Sequence, residues 1–131
     1  MATVNLMSVR LPHDPRAART ARKLVDETLV AHGADPDLRQ DAALVVHELV
    51  MNGVTHGQPD SEGRIELAWQ VVGGQLEVSV LDCGTGGTIE VRHPDDESPN
   101  GRGLAIVAAL STTWWVDHSE GTRVTARLAI P

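Results

Sequence analysis

Apolar residues along this chain recur with two periods, and the changeovers between them mark out its elements. Thr3 to Leu11 alternates weakly, with Val4, Leu6 and Ser8 against Asn5, Met7 and Val9, and reads as a strand. From Asp14-Pro15, a helix N-cap and first-turn pair, the spacing becomes helical. Ala18, Ala21, Val25 and Leu29 fall on one stripe, Arg16, Arg19, Arg22 and Lys23 lie largely opposite, and Gly33 marks the stop. Asp35-Pro36 repeats the start signal. The second helix buries Leu38, Ala42, Val45 and Leu49 and runs to about His56, where Gly57-Gln58-Pro59 ends it. Period two then returns. Arg64 to Val72 and Gln75 to Leu81 flank Gly73-Gly74, a hairpin signal. Thr85 to Asn100 has no apolar period and reads as a loop. Arg102 to Leu110 reads as a third helix, and Thr113 to His118 pairs with Thr122 to Ile130 around Glu120-Gly121.

The order β, α, α, β, β, loop, α, β, β predicts an α/β sandwich: a mixed, mostly antiparallel sheet covered by helices on one face. At 131 residues the chain is expected to be a single domain, 1–131, and 41% hydrophobic residues suffice for a core without metals or disulfides. Aromatics amount to three Trp, so that core must be built from Val, Leu, Ile, Ala and Met. The single Cys83 excludes an intramolecular disulfide and is expected to be a small buried thiol, in keeping with a reducing cytoplasm. There is no basic region followed by an apolar run at the amino terminus, and no stretch long enough to span a bilayer, so neither a signal peptide nor a membrane anchor is expected. A formal charge of −7 argues against broad contact with a nucleic-acid backbone. It leaves open a small anion held by backbone N–H groups and a metal ion.

Three segments carry candidate chemistry. In His47-Glu48-Leu49-Val50-Met51-Asn52-Gly53-Val54-Thr55-His56-Gly57, the residues Glu48, Asn52 and His56 are four apart and share one stripe of the second helix. Asn52 offers a neutral oxygen to Mg²⁺, and Glu48 is a candidate general base; a solvated helix face is the plainer alternative. The His-Glu pair fails as a zinc-protease motif because position 51 is Met. The other histidines read as surface or capping residues. Gly53 weakens the helix by up to roughly 1 kcal/mol. In Leu81-Asp82-Cys83-Gly84-Thr85-Gly86-Gly87, a carboxylate at a strand end can accept from the amino group of adenine, and the glycines let backbone approach a flat ring. A tight turn with an Asx cap is the alternative. Gly101-Arg102-Gly103-Leu104 opens an apolar helix. It either receives phosphates on N–H groups, with Arg102 adding charge, or simply packs closely on a sheet.

As an ordered set these segments resemble the ATPase family shared by gyrase, Hsp90, histidine kinases and MutL, the histidine kinase-like (GHKL) ATPases. Within that family they are most similar to the small anti-sigma factor serine kinases of the RsbW and SpoIIAB type found in actinobacteria. The matching residues are Glu48 to Asn52 with His56-Gly57, then Asp82, Gly84 and Gly86, then Gly101 to Leu104, then Gly121-Thr122. The resemblance implies a Bergerat-type ATP-binding fold with ATP and Mg²⁺ as cofactors. Asn52 would bind the metal. Asp82 would hold adenine, with Gly84, Gly86 and Thr122 around it, and Gly101, Arg102, Gly103 and Leu104 would meet the phosphates. The stretch from Gly87 to Gly101 would be a lid. Glu48 would take the proton from a serine on an anti-anti-sigma (STAS-domain) partner. A sigma factor as second partner, a homodimer and a cytoplasmic setting are likewise implied. The alternative is a kinase-inactive module whose partner binding is gated by nucleotide.

Overall fold

The computed structural model describes residues 6–84 and 99–131, with backbone alone for 99–102. The elements follow the order read from the pattern. They are β1 (Met7–Pro12), α1 (Ala17–Ala31), α2 (Pro36–His56), β2 (Arg64–Val72), β3 (Gln75–Asp82), α3 (Pro99–Leu110), β4 (Thr113–Asp117) and β5 (Thr122–Ala129).

Local chemistry explains most boundaries. Asp35 caps α2 by accepting the Leu38 N–H at 2.8 Å, with Pro36 in the first turn. After α1, Gly33 takes φ +71°. The Ala34 N–H then donates to the Leu29 carbonyl and the Gly33 N–H to that of Val30, which is the Schellman arrangement. Gly73 and Gly74 both have positive φ, as a two-residue hairpin turn between Val72 and Gln75 requires. Two starts differ from expectation. Asp14 accepts the Arg16 N–H at 2.8 Å and also holds the Arg16 guanidinium, so it closes a turn and α1 begins only at Ala17. The third helix starts at Pro99, three residues before Arg102. The first strand begins at Met7, and residues 1–5 of the expected strand lie outside the described residues.

The sheet order is β1-β2-β3-β5-β4, and all four ladders are antiparallel. Connectivity accounts for this. Two helices between β1 and β2 return the chain to the end it left, so the strands oppose. A lone helix between β3 and β4 makes those two run the same way, but β5 inserts between them and no parallel ladder forms.

The helices cover one face of the sheet. Ile65, Leu67 and Trp69 of β2, Leu76, Val78 and Val80 of β3, and Val124, Ala126 and Leu128 of β5 meet Val25, Leu29, Val45, Leu49, Leu104 and Val107 in one core. α2 lies between α1 and α3 and also over β2, β3 and β5. It therefore buries Val46, Val50 and Gly53 in addition to the expected stripe. The opposite face is polar. There Arg123 donates to Ser79 at 2.7 Å and to Glu66 at 2.8 Å, while Arg127 donates to Glu77 and lies over the Trp115 ring.

The two faces of α2 differ in what a truncation costs. Leu49 is fully buried and Leu44 is 45% exposed. Leu49→Ala should lower the free energy of unfolding by about 2–5 kcal/mol. Leu44→Ala should change it by about 0.5 kcal/mol or less. Urea denaturation of both variants checks the assignment.

Candidate functional site

The last strand pairs of the sheet place two polar side chains where the core would otherwise continue. Asp82 ends β3 and Thr122 begins β5. They stand opposite each other in the ladder and so share the helix-covered face with Val80 and Val124. Both are buried, Asp82 to 5% and Thr122 to 6% exposure.

Asp82 Oδ1 accepts the Gly84 N–H at 2.6 Å and a long contact from the Gln58 N–H at 3.5 Å. Among the described residues, Oδ2 takes no hydrogen bond. Removal from water pushes the carboxyl up from its ordinary pKa. The N–H donors from Gly84 and Gln58 and the charges of His13 and His118 oppose that shift without cancelling it. The chain around Asp82 is glycine because nothing larger fits. A β-carbon at Gly57 would overlap the Asp82 carboxylate, and one at Gly84 would stand 2.8 Å from Oδ1. At Gly121, φ +92°, a β-carbon would overlap the Asp82 carbonyl. The Cys83 N–H donates to the Gln58 carbonyl at 2.8 Å, which ties the strand end to the segment leaving α2.

Thr122 Oγ1 donates to the Gly84 carbonyl at 2.9 Å and lies 3.3 Å from His118 Nδ1. Asp82, Gly84 and Thr122 are thus brought together as one cluster, with Gly57 against the carboxylate.

The remaining candidates lie further along α2. Glu48 and Asn52 are half-buried on the same helical stripe. Among the described residues neither side chain is engaged in a hydrogen bond. Glu48 packs against α3: a β-carbon at Gly103 would stand 2.7 Å from Glu48 Oε2. Gly103 therefore admits the carboxylate, whatever else its backbone does. Gly101 and Arg102 lie in the first turn of α3, where backbone N–H groups lack intrahelical acceptors. Leu104 is fixed in the core. Gly86 and most of the expected lid fall in 85–98, outside the described residues. His56 is exposed at the end of α2. Among the described residues no three His, Cys, Asp or Glu gather as a metal site.

One expectation changes. Cys83 is exposed, not buried, because β3 ends at Asp82 and the next residue leaves the sheet. His118 is a surface residue as read, and its ring also reaches the buried Thr122. His13, whose Nε2 lies 3.2 Å from the Gly53 carbonyl, likewise makes a contact not read from the sequence. Neither periodicity nor spacing marks these two residues, since their roles arise only when separate segments meet.

A family model described as histidine kinase-like ATPase domain matches residues 11–128. The crystal structure of the RsbU and RsbW domains of Rv1364c from Mycobacterium tuberculosis is similar, with 27% identity and a TM-score of 0.74, over 98% of this chain and 33% of that one. The histidine kinase domain of a blue-light activated histidine kinase from Erythrobacter litoralis EL346 is similar at 25% identity and a TM-score of 0.53, over 71% of this chain and 45% of that one. The chain thus spans about a third of the first structure's length and under half of the second's. No curated protein matches the sequence.

The raised Asp82 pKa has a sign that can be measured. The folded chain holds the proton more tightly than the unfolded chain, so ionised Asp82 weakens folding above the folded-state pKa, and the loss disappears as pH falls below the unfolded value. Asp82→Asn should therefore raise the Tm of the ligand-free protein at neutral pH. The gap to wild type should close as pH is lowered, as followed by thermal denaturation across pH 3.5 to 7.5.

Proposed function

The chain belongs to the histidine kinase-like ATPase domain family, and from that premise we propose that it is a Mg-ATP-dependent protein serine kinase that also sequesters a sigma factor. ATP binding follows from the family. The serine substrate, the metal and the partners are our reading, supported by the arrangement of residues and by likeness to a structure that contains an RsbW domain.

The observation that carries the reading is the Asp82 side chain, buried at the strand end, whose Oδ2 takes no hydrogen bond among the described residues. A carboxylate partly removed from water favours a donor, and the exocyclic amine of adenine is one; guanine presents an oxygen at that position. The glycines around Asp82 and the amide of Asn52, which takes part in no hydrogen bond among the described residues, fit the nucleotide and its metal. Asn52 would hold Mg²⁺ through its side-chain oxygen, with the remaining positions left to phosphate and water. When bound, the metal neutralises charge on the phosphates. The first-turn N–H groups of α3, including that of Gly101, favour negative charge. Arg102 would add a charge-assisted contact. Glu48 would accept the proton of a serine hydroxyl on an anti-anti-sigma partner. The chain would act in the cytoplasm. Among the described residues no helix is long and apolar enough to cross a membrane.

Calorimetric titration with Mg-ATP and Mg-GTP should show adenine-selective binding. Asp82→Ala should weaken ATP binding by about ten- to a hundred-fold, as loss of a hydrogen bond to a charged group implies. Glu48→Gln should keep ATP affinity within about twofold while slowing phosphate transfer to the partner serine by about 10²–10⁴-fold. Transfer undiminished in Glu48→Gln would remove Glu48 as the base. ATP binding without transfer to any candidate partner would leave a nucleotide-gated binding module in place of a kinase.

A further inference from the structure

The hydroxyl of Thr122 has one proton and two near neighbours, and they differ in what they can do. The Gly84 carbonyl, at 2.9 Å, can only accept. With the hydroxyl proton given to that carbonyl, the His118 ring nitrogen Nδ1, at 3.3 Å, is left to donate. That arrangement calls for a His118 ring that carries a proton on Nδ1. With its proton spent and one lone pair taken, Thr122 Oγ1 has a single lone pair left. Its ladder partner is Asp82, whose Oδ2 is likewise an acceptor.

We infer that His118 is a positioning residue that fixes the polarity of the Thr122 hydroxyl, so that Asp82 and Thr122 together present acceptors only and select a ligand edge bearing an amino group. This rests on the ATP reading above. The physical argument is one of exclusion. A hydroxyl free to rotate can donate as readily as accept, and would serve the carbonyl edge of guanine as well as the amine of adenine. A hydroxyl held at both ends cannot. His118 is exposed, on the turn between β4 and β5, so its replacement leaves the core intact.

The test has two arms. In the first, long-range proton–nitrogen correlation NMR on the nucleotide-free protein reads which ring nitrogen of His118 carries the proton; Nδ1–H is expected, and a neutral ring protonated only at Nε2 would overturn the proposal. In the second, ATP and GTP are titrated into wild type, His118→Ala and His118→Asn. The Ala variant should lose ATP affinity about three- to ten-fold and its preference over GTP should fall with it. The Asn variant, whose amide places an N–H near the position of Nδ1, should restore most of both. An unchanged ATP-to-GTP ratio in His118→Ala, or an Asn variant no better than Ala, would sink this proposal alone. No ATP binding by folded wild type would remove the nucleotide reading and this proposal together.

Discussion

How closely the last two turns of α2 sit on the sheet decides whether a site exists at all. The approach is set by Gly53 and Gly57. A β-carbon on Gly53 would come within 3.1 Å of Val80 Cγ1, and one on Gly57 would occupy the space of the Asp82 carboxylate. Gly53 forgoes helix propensity, by roughly 1 kcal/mol in a helix interior, while Gly57 is the extended C-cap just beyond the helix. α2 runs unbroken through Gly53, and the residue lets the helix pack closely on β3. Lift the helix by a methyl group and Asp82 is rehydrated. The Gln58 carbonyl then withdraws from Cys83, and His13 loses the Gly53 carbonyl it reaches. Core packing and site geometry are one constraint here.

That constraint creates an electrostatic debt inside the fold. Among the described residues Asp82 takes a single short hydrogen bond, from Gly84, and its charged form is disfavoured by burial. A protein selected for stability alone would place an apolar residue at this strand end. A ligand that donates to the second oxygen relieves the cost, and it stabilises the native state in doing so, by simple linkage. The arginines of the sheet contribute nothing to this. Arg123 and Arg127 are engaged on the opposite face with Glu66, Ser79 and Glu77. A chain of net charge −7 must therefore attract an anion with local dipoles instead of with its overall field.

Periodicity made the scaffold legible, because burial on one side of a helix or strand leaves a repeating mark. The stripes of α1 and α2, the Gly73-Gly74 hairpin and the Asp35-Pro36 start are all where the pattern puts them. Asp82 and Gly84 stood out because an acid at a strand end beside a run of glycines is expensive unless something requires it, whereas Thr122 was reached only through the family resemblance. Boundaries set by competing local bonds were less so. Asp14 looks like an N-cap but spends its carboxylate on Arg16, and α1 starts late. The β5 insertion between β3 and β4 leaves no trace in a sequence read element by element. His13, His118 and the exposure of Cys83 depend on where segments meet, and no single segment encodes that.

The spacing along α2 also limits what kind of ligand the site can take. Gly57, which abuts Asp82, lies nine residues after Glu48, and nine residues of helix rise about 13 Å. Asn52 falls between them on the stripe it shares with Glu48. A nucleobase alone would satisfy Asp82 and leave Glu48 and Asn52 without a role. A phosphate alone would do the reverse. On the ATP reading, an elongated molecule with a hydrogen-bonding ring at one end and anionic groups at the other would use Asp82, Asn52 and Glu48 together. Glu48 stands at the far end of that line, against Gly103 of α3. On the reading proposed above, recognition and chemistry are separated along one rigid helix. The residues that choose the base can then vary without moving the residue that takes the proton.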